Sequence, residues 1–287
     1  MRLPRVDPAG VPNPPSVGKL EKYVLAHADR EGVAVGRIRH WISFMMLSGA
    51  LEQAAASQGG PRFIVKGGVA LELRLPARAR STEDLDLVVF PEEGDLLKLL
   101  DLALRAPYGD WTFSRRAETR RLGDQAVRVW VQIAYRSQRW ATVQVDLTRP
   151  DGDSTESERI PGMGLQPFGL EGPMDIACLS LRFHIAQKFH GMTRASRGGG
   201  PNDRVRDAVD LLLLRELVPL ADLRAVREAC LDTFRARAVH DWPPEIRLPA
   251  HWSGPYSAMA RALGLPEVDL RVAERARQTF LAAIEAA

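Results

Sequence analysis

Residues 63–89, FIVKGGVALELRLPARARSTEDLDLVV, hold a glycine pair and two closely spaced aspartates. The apolar run 63–65 predicts a strand that ends at Lys66, and the apolar segment 69–73 predicts a helix. Gly67 and Gly68 lie at the turn between them, where backbone N–H groups attract an anion and glycine lets a phosphate approach closely. The turn therefore predicts a phosphate-binding site.

The two aspartates, Asp84 and Asp86, open the next predicted strand. Side chains alternate along a strand, so both carboxylates project from the same face. Like charges in this position repel each other, which favours a cation beside them. Mg²⁺ takes oxygen ligands and is commonly held by one or two carboxylates together with substrate phosphates. A phosphate-binding turn so near a metal-binding acid pair predicts nucleotidyl transfer.

These residues resemble the signature of the AbiEii/AbiGii toxin family, whose members are nucleotidyltransferases of the DNA-polymerase-β-like superfamily and toxins of type IV toxin–antitoxin and abortive-infection systems. The matching positions are Lys66-Gly67-Gly68-Val69-Ala70-Leu71 and Arg80-x-Thr82-x-Asp84-Leu85-Asp86-Leu87. The resemblance implies an α+β fold, with a mixed-sheet polymerase-β-like nucleotidyltransferase core and a C-terminal helical bundle.

A second signature block of the family resembles a later part of the chain. Lys188 matches a helical lysine, and after a glycine-rich loop come Arg204-x-Arg206-Asp207-x-x-Asp210-Leu211, with Arg206 where lysine is frequent. The resemblance implies that Lys188 and Asp207 are active-site residues. The alternative is a solvated salt-bridge ladder in which Arg206 pairs with Asp210 four residues later. Asp210 also suits helix packing or the orientation of an arginine.

Asp146 is a third candidate acid, near the end of the strand-like run 140–147. By itself it is an acid that caps the turn after a strand. The resemblance implies instead that it is the third metal ligand, with one or two Mg²⁺ ions held by Asp84, Asp86 and Asp146.

The resemblance also implies roles for the other signature residues. The NTP triphosphate is expected at Gly67 and Gly68, and Lys188 is expected to neutralise phosphate charge, with Asp207 orienting Lys188 or assisting deprotonation of the acceptor. Two basic residues and a hydroxyl are expected to contact phosphate or to support the loop: Lys66, Arg80 and Thr82.

The acceptor is implied by the family alone. A toxin that adds a nucleoside monophosphate to the 3′ end of tRNA, and so blocks translation and growth, is the first interpretation. The alternatives are transfer to a small-molecule hydroxyl, as in antibiotic-modifying nucleotidyltransferases, or a non-catalytic protein that binds nucleotide or RNA. A cognate antitoxin encoded nearby is expected, and it need not bind the toxin directly.

Periodicity divides the chain into a flexible, proline-rich lead-in (1–15), a nucleotidyltransferase domain (16–160) and a helical domain (161–287) that closes the cleft. Predicted helices cover 17–29, 35–56, 92–106, 173–192, 221–237, 256–263 and 267–285, with a further helix opening at Asn202 or Asp203. Predicted strands cover 62–65, 84–90, 111–116, 125–135 and 140–147.

The composition is that of a soluble globular protein, with 287 residues, 45% hydrophobic and 26% charged residues and a net charge of +3. No apolar run is long enough for a membrane span, and the N-terminus lacks a signal-peptide pattern, so we expect a cytoplasmic protein. Cys178 and Cys230 are expected to be buried small hydrophobes, and His184 and His190 are expected to pack or to lie at the surface. Trp242, His251 and Trp252 are expected to anchor loops in the core, although two tryptophans and a histidine near arginines can also stack nucleobases.

Overall fold

A computed structural model describes residues 11–57, 59–76, 78–123, 125–152, 156–194 and 202–287. They form two units. The first unit comprises residues up to Leu73, Ser81–Arg149 and Arg159–Cys178, and the second comprises Arg74–Arg80, Pro150–Glu158 and Leu179–Ala287. Within these described ranges, no helix combines the length and the apolarity that crossing a membrane requires.

A mixed seven-stranded sheet organises the first unit, with the strand order β3-β4-β5-β2-β1-β7-β6. The strands are β1 (Arg62–Lys66), β2 (Asp84–Phe90), β3 (Trp111–Gly123), β4 (Ala126–Tyr135), β5 (Gln138–Thr148), β6 (Ser157–Pro161) and β7 (Asp175–Leu179). β2 is antiparallel to β1 and parallel to β5, whereas β4 is antiparallel to both β3 and β5. The sheet and the helices of both units confirm the predicted α+β fold.

Helices α1 (Val17–Glu31) and α2 (Val35–Ala55) supply apolar side chains to the core that covers one face of this sheet. The indole N–H of Trp140 on β5 donates a 3.0 Å hydrogen bond to Ser43 Oγ on α2, and both side chains are buried. Two shorter helices are α3 (Gly67–Arg74) and α4 (Leu96–Ala103). The core therefore lies on one side of the sheet, so the polar positions of the strands lie on the other.

The alternation of β4 and β5 shows this division directly. Val129 and Val131 on β4 are fully buried and pair with Val145 and Val143 on β5. The residues between them carry polar or amphipathic side chains that project from the opposite face, and they are half-buried or exposed in β4: Arg128, Trp130 and Gln132. Side chains along β4 therefore alternate between the core face and the polar face of the sheet.

The second unit is built from five α-helices in its described part, α5 (Leu181–Thr193), α6 (Val205–Arg215), α7 (Leu223–Arg237), α8 (Ser253–Ala262) and α9 (Leu270–Glu285). Helix α9 is tied to α6 by Arg277, which is fully buried and donates to the Ala208 carbonyl oxygen from Nε at 3.1 Å. Trp242 donates to Glu285, and the buried Trp252 donates to the Asn202 carbonyl oxygen at 2.7 Å. These two tryptophans therefore anchor loops.

Two predicted helices are wrong in extent. The helix predicted over 173–192 begins at Leu181, because residues 175–179 form β7, which runs parallel to β1 with Val65 opposite Cys178. The helix predicted over 92–106 covers only 96–103, since Asp95 caps its first turn by accepting from Leu97 and Lys98. Strand β6 was not predicted.

The limits of the two units differ from those expected from the sequence, because residues 175–179 form strand β7 and belong mostly to the sheet unit. The sheet unit reaches Cys178 and includes 159–178, whereas sequence periodicity places its end at residue 160. Of the lead-in, residues 1–10 lie outside the described residues. Asn13 and Pro14 accept hydrogen bonds from the buried Tyr135 hydroxyl.

His190 on α5 lies in a buried aromatic cluster of the second unit. Its ring is 1% exposed and contacts Phe234 and His240, with ring centroids 5.1 and 4.8 Å away. Arg237 Nη1 lies 3.2 Å from His190 Nδ1, a contact in which only a neutral ring can accept. Burial first, and the Arg237 charge second, lower the pKa of His190 to about 3.

This lowered pKa predicts acid sensitivity. The unfolded state takes up a proton at His190 as the pH falls below about 6.5, while the folded state does not until about pH 3, so stability is lost through that window. At pH 4.5 this loss amounts to about 2–3 kcal/mol relative to pH 7. Urea unfolding at both pH values should show the loss in wild type and not in His190→Phe. The exposed His251→Phe should behave as wild type, and equal losses in all three proteins would contradict the assignment.

Candidate active site

The turn from β1 into α3 lies directly against Asp86. Gly67 adopts a φ of +63°, and a Cβ there would overlap the Asp86 carboxylate. A Cβ on Gly68 would lie 2.6 Å from Thr82 Oγ1. Both glycines are therefore required by close approach, and Gly67 also by backbone conformation. The predicted glycine turn brings its backbone to the predicted acid pair.

The acid pair itself is held by the start of β2. Asp84 and Asp86 are half-buried and project from one face, as the i, i+2 spacing predicts. The buried Thr82 hydroxyl donates to Asp84 Oδ1 at 2.8 Å, which fixes that carboxylate. Thr82 thus acts on the acid as well as on the glycine turn.

Strand register extends the acid pair into a line across five strands, which we call the transverse row. Asp86 on β2 is opposite Lys66 on β1 and opposite Asp146 on β5. Asp146 is opposite Arg128 on β4, which in turn is opposite Arg120 on β3. Residues at paired register positions lie on the same face, about 4.5–5.5 Å apart between Cβ atoms in antiparallel pairs. The three predicted acids are therefore brought together on the polar face of the sheet.

Arg128 was not foreseen from the sequence, and it is the closest partner of Asp146. Its Nε and Nη2 donate to the two Asp146 carboxylate oxygens, each at 2.8 Å. The hydrogen bonds to Asp146 are the main cause of a raised Arg128 pKa, and the charges of Asp84 and Asp86 raise it further. Asp146 is 6% exposed, so Arg128 compensates a nearly buried carboxylate. The turn-capping alternative for Asp146 does not account for this pairing.

The acids fit a hard divalent cation in their donor chemistry, because Asp84 and Asp86 offer only carboxylate oxygens beside a turn that has no side chain at Gly67. Within the described ranges, no three His, Cys, Asp or Glu side chains are arranged to hold an ion together. Asp84 and Asp86 are thus a two-carboxylate donor set of the kind that is completed by substrate phosphates.

The second unit holds the other predicted residues in what we call the lysine cluster: Lys188, Asp207, Asp210 and Arg80. Lys188 Nζ donates to Asp207 Oδ1 and Asp210 Oδ2, each at 2.8 Å. Arg80 donates to both Asp210 oxygens, from Nε at 3.0 Å and from Nη2 at 3.1 Å. The predicted contact between Lys188 and Asp207 is present, and Asp210 orients Arg80.

Burial sets the electrostatics of the lysine cluster. Lys188 and Asp207 are each 7% exposed and Asp210 is fully buried, so a solvated salt-bridge ladder is excluded. Burial opposes ionisation of both Lys188 and Asp210, but the opposite charges outweigh it. The two carboxylates raise the pKa of Lys188, and Lys188 and Arg80 lower the pKa of Asp210. Lys188 and Asp210 therefore both stay charged at neutral pH.

Gly191, which the sequence analysis did not single out, leaves room for the Asp207 carboxylate. A Cβ on Gly191, one turn after Lys188 on α5, would lie 2.5 Å from Asp207 Oδ2. The i, i+3 spacing of Lys188 and Gly191 was available from the sequence, but their packing against α6 was not.

Fold and site together define a nucleotidyltransferase. The sequence profile described as nucleotidyl transferase AbiEii toxin, type IV toxin–antitoxin system, matches residues 49–285. The chain therefore belongs to the AbiEii family of nucleotidyltransferase toxins. Membership implies an NTP substrate and a cognate antitoxin. No curated protein sequence gives a match.

One solved structure with a TM-score above 0.5 shares the fold, and two others have lower scores. MenT4, a nucleotidyltransferase toxin from Mycobacterium tuberculosis, is 18% identical with a TM-score of 0.55, over 94% of this chain and 98% of that one. An antigenic nucleotidyltransferase-like protein from Paracoccidioides brasiliensis is 15% identical, with a TM-score of 0.43 over 69% and 89%. The antibiotic-resistance factor ANT(2'')-Ia is 14% identical, with a TM-score of 0.39 over 69% and 94%. At 18% identity the likeness to MenT4 concerns the fold alone.

The lysine cluster predicts a large effect of one substitution on stability. Lys188→Met leaves Asp207 without its close cation and removes one of two cations from Asp210, and breaking a buried ion pair from one side costs about 3–5 kcal/mol. Arg224→Met, which removes the exposed 3.3 Å pair with Glu228, should cost less than about 1 kcal/mol. The free energy of unfolding in urea measures both. Similar values for the two variants would mean that the cluster is not desolvated.

Proposed function

We propose that this toxin transfers a nucleoside monophosphate from an NTP to the 3′ end of tRNA, with release of pyrophosphate, and that the transfer blocks translation. The observation that carries the proposal is the position of the Gly67-Gly68 turn against Asp86, beside Asp84 and Asp146 on the same face. Backbone N–H donors suited to a phosphate and an acid pair suited to Mg²⁺ are thereby adjacent, as nucleotidyl transfer requires.

The residues divide the work of the reaction. The backbone N–H groups of the Gly67-Gly68 turn bind the triphosphate. Lys66, next to Asp86 in register, offsets the negative charge of the triphosphate. Asp84 and Asp86 would hold Mg²⁺, with Thr82 fixing the Asp84 carboxylate. Bound Mg²⁺ supplies charge neutralisation of the phosphates and lowers the pKa of a coordinated hydroxyl.

Asp146 is assigned to the acceptor hydroxyl. Its carboxylate is next to Asp86 in register and accepts a hydrogen bond from Arg128, which suits it to align the attacking oxygen and to serve as a further metal ligand in a two-ion arrangement. Each Asp146 oxygen accepts one hydrogen bond from Arg128, and an ionised carboxylate has about four acceptor sites, so ligation by Asp146 is compatible with the Arg128 pair.

Lys188 and Asp207 enter the proposal through the family signature. The signature assigns the ammonium of Lys188 to neutralising phosphate charge, and Asp207 orients this ammonium through their 2.8 Å contact. Arg80 acts as a positioning residue through its two hydrogen bonds to Asp210.

The proposal predicts that purified protein with Mg²⁺ and each α-³²P-labelled NTP in turn will label tRNA. Asp86→Ala should reduce the labelling rate by at least about 100-fold, because it removes a metal ligand from the site of charge development. Asp101→Ala removes a carboxylate that pairs with Arg115 outside the transverse row, so it should label as wild type does.

Three outcomes would contradict the proposal. Undiminished labelling by Asp86→Ala would remove the acid pair from the chemistry. Pyrophosphate release with a small-molecule hydroxyl, but with no RNA, would assign the chain to the small-molecule class. Nucleotide binding without pyrophosphate release from any acceptor would favour a non-catalytic protein.

A further inference from the structure

The transverse row gives the reaction a direction. In the proposed function the triphosphate lies at the Gly67-Gly68 turn, so pyrophosphate leaves on the β1 and α3 side of Asp86. In an in-line displacement the attacking oxygen lies on the opposite side of the α-phosphorus. The strands on that side are, in order, β5, β4 and β3. The acceptor therefore approaches over the polar face of these three strands.

An aromatic side chain stands on this path. Trp130 on β4 is opposite Gln144 on β5, and Gln144 is opposite Asp84 on β2. Two strand spacings of about 4.8 Å separate Trp130 from the acid pair, or about 10 Å. Trp130 is half-buried, and Gln132, the next residue on the same face, is exposed. An indole in this position offers one face to a ligand that reaches Asp84.

A cation follows one strand further out. Arg120 on β3 is exposed and continues the transverse row beyond Arg128. Arg128 donates to both Asp146 oxygens, so its guanidinium is engaged with the acid. Arg120 instead lies at the outer end of the path, where a guanidinium suits a backbone phosphate.

We propose that Trp130 and Arg120 bind the single-stranded 3′ end of an RNA acceptor, with the indole stacked on a base and the guanidinium paired with an upstream phosphate. This inference rests on the proposed function. A stacking aromatic combined with cationic side chains along a groove is how proteins hold single-stranded nucleic acid without reading its sequence. A small-molecule hydroxyl has no upstream phosphate for Arg120 to bind.

The chain provides a matched control for Arg120. Arg121 is the next residue on β3, is also exposed and carries the same charge, but it is opposite Val127 and so belongs to the other face of the sheet. Arg120→Gln and Arg121→Gln therefore change the net charge equally and differ only in the face that they alter. For the indole, Trp130→Phe keeps an aromatic face and Trp130→Leu does not.

The test measures binding of a fluorescein-labelled single-stranded RNA by anisotropy over a range of salt concentrations, together with KM for tRNA and for NTP. Trp130→Leu should weaken RNA binding about 10-fold or more, and Trp130→Phe should recover most of it. Arg120→Gln should lower the slope of log K against log salt by about 0.7, the value of one phosphate contact on a single strand. Arg121→Gln should keep the wild-type slope, and KM for NTP should not change in any variant.

The outcomes separate this inference from the proposed function. If wild type labels tRNA and the four variants bind RNA equally well, the acceptor path is wrong and the proposed function stands. If Arg120→Gln and Arg121→Gln lower the slope equally, binding is a general effect of charge, and the assignment to this face is overturned. If wild type neither binds nor labels RNA, both the inference and the RNA acceptor fall.

Discussion

The register between β2 and β5 places Asp86 and Asp146 side by side. Neighbouring groups in the first unit reduce the repulsion between these carboxylates. Three acids on one face repel one another, so each has a partner near it. Thr82 donates to Asp84, Lys66 is opposite Asp86, and Arg128 donates to both oxygens of Asp146. The turn at Gly67 lies against the Asp86 carboxylate, because Gly67 carries no Cβ. The site thus keeps three carboxylates on one face of the sheet, and their neighbours reduce the repulsion between them.

In the second unit, the charged side chains of the lysine cluster are buried away from water. Lys188, Asp207 and Asp210 are each under 10% exposed, and a buried charge is tolerated only when it is paired and hydrogen-bonded. Buried ion pairs of this kind add little stability compared with apolar packing, and here they join α5, which carries Lys188, to α6, which carries both acids. Here α6 is also held from α9 by Arg277, which donates to the Ala208 carbonyl oxygen between the two acids. The C-terminal helix therefore supports the position of the cluster.

The features of the site that depend only on residues close together in the chain could be predicted from the sequence. The i, i+2 acids share a face, and the glycine pair sits at the strand-to-helix turn, because both properties are set within a few residues. The helix over 173–192 failed because a short apolar run such as 175–179 fits a buried strand or a helix equally well. Only its parallel pairing with β1, more than one hundred residues earlier, decides between them.

The Arg128 partnership shows why the remainder could not be predicted. Tyr135 is opposite Gln138 across a two-residue turn at Arg136 and Ser137, but the register shifts by one residue between Ile133 and Ala134. Counting back from the turn without this bulge would place Asp146 opposite Val127, on the core face. The sequence offers no sign of the bulge. The partners of Asp146, and with them the acceptor path that we propose over β4 and β3, therefore required the structure.

The most direct measurement is a crystal structure with Mn²⁺ and a non-hydrolysable NTP, in which anomalous scattering locates the ion. The account predicts a peak within about 2.0–2.3 Å of carboxylate oxygens of both Asp84 and Asp86, with the triphosphate at the Gly67-Gly68 turn. A peak bound to other residues, or a triphosphate on the β4 and β3 side of Asp146, would contradict both the metal assignment and the direction of the reaction.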